Sequence, residues 1–153
     1  MNWEAISTVA EVLGAAGVII TVIYLAVQVR QNTRFVQAAA EQALMSQEIE
    51  VYALTASHAG IFRRGNENLA NLDPDEKVVF EHLLYAEMSQ IYSGWVQFNR
   101  KLIPLIVWEA YQNSAMQNLR EKGFRQAWNE NKLTYPVDFQ EAITKVLERD
   151  DAL

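Results

Sequence analysis

The two histidines are the first candidates for metal binding or acid/base catalysis, since the chain contains no cysteine that could serve as a metal ligand or nucleophile. A di-metal site in a helical bundle needs a Glu-x-x-His pattern on inward faces. Thr55 lies three residues before His58, and Val79 lies three before His82, so the pattern is missing. The lack of cysteine also excludes disulfides, thiolate catalysis and cysteine metal sites. We therefore predict no metal site and no cofactor.

A second titratable group, Glu81, His82 and Glu87, lies beside an apolar stripe. We interpret these side chains as the solvated flank of a helix rather than as an acid/base pair. The sequence also lacks a Gly-rich phosphate loop, a nucleophile elbow and a zinc pattern. Because no set of titratable groups converges, we predict that the protein is not an enzyme.

Aromatic residues form the third group. Tyr92, Trp95 and Trp108 could line a ligand pocket or a partner surface. Aromatic side chains also supply much of the core of a small helical bundle. An enclosed aromatic cavity with a polar floor would favour a ligand-binding role for these residues, and a solid core would favour a purely structural role.

The charge balance argues against a nucleic-acid partner. The net charge is −6, and no basic block is longer than Arg63-Arg64. Nucleic-acid affinity depends on clustered lysine and arginine. We interpret the Arg63-Arg64 pair as a solvated surface, with an anionic lipid headgroup or phosphate as the alternative.

A charge-free run of eighteen residues, Val12–Val29, precedes Arg30 and Arg34. A helix rises about 1.5 Å per residue, so this run would span roughly 27 Å. That length is close to the ~30 Å hydrocarbon core of a bilayer. The run therefore predicts a transmembrane anchor, with a long buried helix of a soluble bundle as the alternative.

The flanks of the run predict an uncleaved anchor and its orientation. No lysine or arginine precedes the run, and no Ala-x-Ala cleavage site follows it, so it does not resemble a cleaved signal. Basic residues at the membrane interface favour the cytoplasmic side, and here these are Arg30 and Arg34. We therefore expect a single-pass protein whose C-terminal domain lies in the cytoplasm.

One side of the predicted anchor carries small residues: Ala10, Gly14 and Gly17. Small residues let membrane helices approach closely, so we predict a helix–helix contact here, with Glu11 at its border. Glu11 lies at the interface if the span is Val12–Val29. If Trp3 and Tyr24 anchor the span, Glu11 lies inside the hydrocarbon and needs a partner or a proton.

Apolar periodicity predicts an all-α protein. A long N-terminal helix should run from Trp3 to about Ser57, because only the pair Gly14 and Gly17 interrupts helix-forming residues there. Residues 1–30 are the predicted anchor, and residues 31–153 are the predicted cytoplasmic helical domain. No segment shows the alternation of an amphipathic strand.

Several signals predict the helices of this domain. Asp73 can cap a helix that has Pro74 at its first position. Its apolar face steps by three and four residues: Phe80, Leu84, Met88, Ile91, Trp95, Phe98 and Leu102. We expect a break at Pro104, an interruption at Gly123 and a last helix after Pro136.

Four stretches resemble those of a family of small bacterial membrane proteins. They are NWEAIS at the start, YLAVQVRQNTR (Tyr24–Arg34), LDPDE (Leu72–Glu76), and GFRQAW followed by a Tyr-Pro helix start. The resemblance implies one N-terminal membrane helix, a helical cytoplasmic tail and a bacterial inner-membrane location. It supplies no catalytic residues. Similar chains carry a charged turn where this one has LIPLIVW (Leu102–Trp108), which a partner or the membrane would cover.

Together these features predict a membrane-anchored interaction or assembly protein. Its partners would be the lipid bilayer and either further copies of itself or other membrane-protein subunits. The alternative is a membrane-tethered sensing module that binds a small apolar ligand among Tyr92, Trp95 and Trp108.

Overall fold

The computed structural model describes the chain from Asn2 to Asp150, apart from the side chains of Ala5, Arg149 and Asp150. This part of the chain is helical and contains no strand, which confirms the predicted all-α class. Six α-helices follow one another: α1 Trp3–Ser57, α2 Ala59–Glu67, α3 Pro74–Asn99, α4 Leu105–Arg120, α5 Lys122–Asn131 and α6 Val137–Asp150. Single turns of 3₁₀-helix at Leu69–Asn71 and Lys132–Thr134 precede α3 and α6.

Contacts divide the chain into two units, Met1–Ala39 and Ala40–Leu153. The described part of the first unit is a single helical segment whose side chains are exposed, with Gln37 half-buried. Its hydroxyl groups bond to the helix itself. Thr21, for example, donates to the carbonyl of Gly17 at 2.8 Å.

The second unit has a continuous apolar core. Side chains from α3, α4, α5 and α6 meet there, and Leu44 joins them from the last part of α1. The predicted face of α3 is buried from Phe80 to Ile91, whereas Trp95 and Phe98 are half-buried against the same core. Leu102 lies beyond α3, because the helix ends at Asn99.

The start of α3 is as the sequence predicts. The Asp73 side chain accepts a hydrogen bond from the backbone N–H of Glu76 at 2.8 Å. The Glu76 side chain accepts in return from the N–H of Asp73, which completes a capping box. Arg64 of α2 forms an ion pair with the same Glu76 carboxylate. The cap therefore also links α2 to α3.

The predicted interruption at Gly123 is wrong. The break lies at Glu121, whose backbone is extended, and Gly123 is the second residue of α5. A Cβ at position 123 would overlap the backbone carbonyl of Gly65 in α2. Gly123 is therefore required by the close crossing of α2 and α5, not by a helix end.

Candidate interaction surface

The apolar part of α1 is not covered by the rest of the described chain. The segment Ile6–Ser57 contains an 18-residue window with a mean hydropathy of 2.3, and none of that window is buried. Large apolar side chains point outward along it, from Val9 to Val29. By length and composition, this helix can cross a membrane.

The small residues of the predicted helix–helix contact are exposed: Ala10, Gly14 and Gly17, together with the bordering Glu11. A Cβ added at Gly14 or Gly17 would meet no atom within 4 Å. No packing against the described chain therefore explains these two glycines. Arg30 and Arg34, the predicted interface residues, are also exposed, one turn apart at the end of the apolar segment.

The structure brings together two of the three aromatic residues singled out above. Tyr92 stacks on Trp95 with 5.8 Å between ring centroids. Both rings contact Phe139 of α6, at 5.0 and 5.7 Å. Trp108 lies elsewhere, buried and stacked on Phe98 at 6.1 Å. Ligand binding among the three stays a prediction.

The histidines do not form a site in the described part of the chain. The Nδ1 atom of His82 lies 2.7 Å from the carbonyl oxygen of Val78, within its own helix. His58 Nδ1 lies 2.9 Å from the hydroxyl of Ser57. Among the described residues, no three histidine, aspartate or glutamate side chains are placed to hold a metal ion.

Glu87 does not lie on a solvated flank, so our interpretation of that residue is wrong. Its side chain is buried, whereas Glu81 and His82 are exposed. Burial raises the pKa of the Glu87 carboxyl. A hydrogen bond from Asn118 at 3.4 Å opposes that shift, and the nearby charge of Glu48 adds to it.

A groove that the sequence did not predict is lined in part by Glu48, whose charge also raises the pKa of Glu87. Its volume is about 270 Å³. The last part of α1 forms one wall, residues 106–114 of α4 form the other, and Gln90 of α3 also lines the groove. The α1 wall comprises Glu41, Leu44, Met45 and Glu48, and the α4 wall comprises Ile106, Val107, Ala110, Tyr111 and Ser114.

The groove combines a covered floor with an uncovered rim. Leu44 is 1% exposed, but Met45 is 63% exposed and Ile106 is 73% exposed. Leu105, beside Ile106, is also exposed. The apolar departure at Leu102–Trp108 thus places two large side chains in solvent, while Trp108 is buried in the core.

The acidic side of the groove affects its neighbours. The Tyr52 hydroxyl donates a hydrogen bond to Glu48 at 2.9 Å, and this contact raises the pKa of Tyr52. Burial raises the pKa of Tyr111, a hydrogen bond from Gln90 lowers it, and the charge of Glu48 raises it again. The charge of Glu48 therefore contributes to the raised pKa of both tyrosines, after the hydrogen bond at Tyr52 and burial at Tyr111.

The local signal for the groove was present in the sequence. Glu41, Leu44 and Glu48 are spaced by three and four residues, which places them on one face of a helix. Only the position of α4 shows that this face borders a groove rather than solvent alone.

The described chain is all-α and includes one exposed apolar helix that is long enough to cross a membrane. Comparisons with protein-family models, with curated proteins and with solved structures gave no match. The resemblance to a bacterial membrane-protein family therefore stays a prediction.

Proposed function

We propose that this protein is a membrane-anchored helical interaction protein, which self-associates or serves as an accessory subunit of a larger membrane complex. The observation that carries the proposal is the uncovered apolar segment of α1, with its mean hydropathy of 2.3. Monomeric soluble proteins rarely expose a contiguous apolar patch above a few hundred Å². A bilayer around α1 removes this surface from water.

Two further features support a membrane location. A bilayer core cannot satisfy polar groups, so hydroxyls inside it must bond to the protein. Thr21 does so through the Gly17 carbonyl. Arg30 and Arg34 lie at one end of the apolar segment, which favours a cytoplasmic position for the residues that follow. With the resemblance described above, we propose a single pass through a bacterial inner membrane.

The interaction role rests on surfaces that nothing in the described chain covers. Gly14 and Gly17 leave open space along α1, where a second membrane helix can approach closely. Leu105 and Ile106 are exposed at the start of α4. No convergent set of catalytic groups occurs among the described residues, so we propose binding rather than catalysis.

Alkaline carbonate washing of membranes tests the anchor. The full-length protein should stay in the pellet, because an inserted helix resists extraction that removes peripheral proteins. A matched control replaces Ile19 and Ile23 with lysine, at a cost of about 3 kcal/mol each at the bilayer centre. That variant should move to the supernatant. Recovery of the unmodified protein in the supernatant would contradict the proposal.

The mass of the detergent-extracted particle tests assembly. We expect a protein mass above that of one 17.5 kDa chain, with any co-purifying subunits identified by mass spectrometry. A particle of one chain with no co-purifying protein would contradict the interaction role and leave only the anchor.

A reporter fused after the C-terminus tests the orientation. A reporter that works only in the cytoplasm should be active.

A further inference from the structure

We propose that the groove between α1 and α4 is the docking site for a basic amphipathic helix of a partner protein in the same membrane. This inference rests on the proposed function and names the chemistry of the partner. It is carried by the shape of the groove, its uncovered apolar rim and the charge of its α1 wall.

The shape favours side chains of a partner over a small molecule. The volume of about 270 Å³ is close to the lower limit of roughly 300 Å³ for small-molecule pockets, so the distinction rests on exposure: two large apolar side chains of the groove, Met45 and Ile106, are mostly exposed. Of its apolar lining side chains, Leu44 is buried and Val107 is half-buried, whereas Met45 and Ile106 are exposed. One or two large apolar side chains of a helix would fill the space and cover this rim.

The charge of the groove defines the partner further. Glu41 and Glu48 lie seven residues apart on either side of Leu44, which is about 10 Å along the helix. The described residues that line the groove include no lysine or arginine. The whole second unit carries the acidic excess, since residues 40–153 have 11 basic and 17 acidic side chains. A basic partner would complement this surface.

The same carboxylates argue against a second copy as the symmetric occupant. In a two-fold contact, the same surface patch meets itself. Glu41 and Glu48 would then face their own counterparts, and like charges brought together at an interface cost several kcal/mol. A helix of opposite charge avoids that cost.

The recognition pattern follows from the geometry. A helix laid in a groove presents residues at i, i+3, i+4 and i+7. The partner should carry two basic residues about seven positions apart, with one or two large apolar residues between them on the same face. The contact is short compared with a standard interface of about 800 Å² per partner. Anchoring in one membrane raises the effective concentration and lets such a short contact form.

Site-specific photo-cross-linking tests the inference on the full-length chain in native membranes. A photoreactive amino acid replaces Ile106, and the cross-linked peptide is identified by mass spectrometry. We expect a helix of a different membrane protein with the basic and apolar spacing given above. Replacing both Glu41 and Glu48 with lysine should lower the cross-link yield by roughly tenfold or more.

The matched control replaces Glu50 and Glu81 with lysine. Both are exposed, and neither lines the groove, so the yield should not change although the net charge changes equally. Replacing Glu41 and Glu48 with glutamine keeps size and polarity and should give an intermediate loss. This second variant keeps the test valid if the lysine variant fails to fold.

Three results would overturn the inference: a cross-link to a second copy, a cross-link to a segment without basic residues, or a yield that none of the groove substitutions changes. Carbonate washing of the same membranes separates this outcome from failure of the proposed function. If the protein stays in the pellet but shows no charge-dependent cross-link, only the docking proposal is refuted. If the protein is extracted into the supernatant, the proposed membrane anchor is refuted.

Discussion

Replacing Gly123 with alanine should destabilise the protein, although alanine is the better helix former. The gain in helix propensity is about 1 kcal/mol. Against it, the new Cβ would overlap the carbonyl oxygen of Gly65 and lie 2.8 Å from the carbonyl carbon. Both atoms belong to the backbone of α2, so no side-chain rotation can relieve the overlap.

The size of the effect follows from these two contributions. Overpacking in a well-packed interior costs typically 1–3 kcal/mol, and backbone atoms favour the upper end. After subtraction of the propensity gain, we expect a net loss of about 2 kcal/mol. For a domain near 100 residues, 1 kcal/mol shifts the Tm by roughly 4 °C, so the Tm should fall by about 8 °C.

Gly60 offers the matched control in α2. A Cβ there would meet only the tip of the Arg64 side chain, at 3.6 Å. Gly60→Ala should therefore be neutral or stabilising by up to about 1 kcal/mol. Urea unfolding of the full chain in mild detergent, followed by tryptophan fluorescence, measures both variants, since Trp108 and Trp128 are buried in the folded state. A Gly123→Ala variant as stable as Gly60→Ala would refute the described crossing of α2 and α5.

Three further predictions test the core, the buried carboxyl and the anchor. Trp95→Ala should destabilise the bundle by about 3 kcal/mol, the low end for such truncations because the ring is only half-buried; an unchanged urea midpoint would contradict its packing on Phe139. Folding raises the pKa of Glu87, so the folded state keeps its proton to higher pH and stability falls as pH rises from the ordinary carboxyl range through the raised pKa. Glu87→Gln should remove that fall and stabilise the protein at neutral pH, whereas the exposed Glu81→Gln should not; identical pH profiles of urea unfolding would refute this. Gly14→Leu should abolish the oligomer ladder that we expect from cross-linking in membranes, while insertion stays intact; an unchanged ladder would assign any association to the rest of the chain or to another protein.

Local patterns were sufficient to predict the all-α class, the bounds of α1 and the start of α3. The long α1 was predicted from a run without breakers, and its observed bounds, Trp3–Ser57, match. The Asp73-Pro74 signal gave the start of α3 because a capping side chain and a proline act on their own turn. Such signals involve residues within one turn of each other, so a single sequence contains them in full.

Contacts between helices were not predictable in the same way. The sequence around Gly123 suggested a helix break. The feature that requires glycine there is the backbone of α2, which is far away in the chain and is not visible in the local sequence. Glu87 looked solvated because it flanks an apolar stripe, but α4 brings Asn118 against it. The groove was missed for the same reason. Its α1 wall is visible in the spacing of Glu41, Leu44 and Glu48, but its α4 wall is not.

The crossing of α2 and α5 also limits how this sequence can change over evolutionary time. The backbone of α2 leaves no room for a Cβ atom at position 123, and the ring of Phe80 leaves no room for one at position 65. A ring can be exchanged for a smaller side chain, but a carbonyl group cannot be removed. Glycine at 123 should therefore be strongly favoured in any lineage that keeps this crossing, while position 65 can vary together with position 80. A glycine retained as the second residue of the fifth helix would mark distant relatives that share this fold even after the sequences of their first helices have diverged.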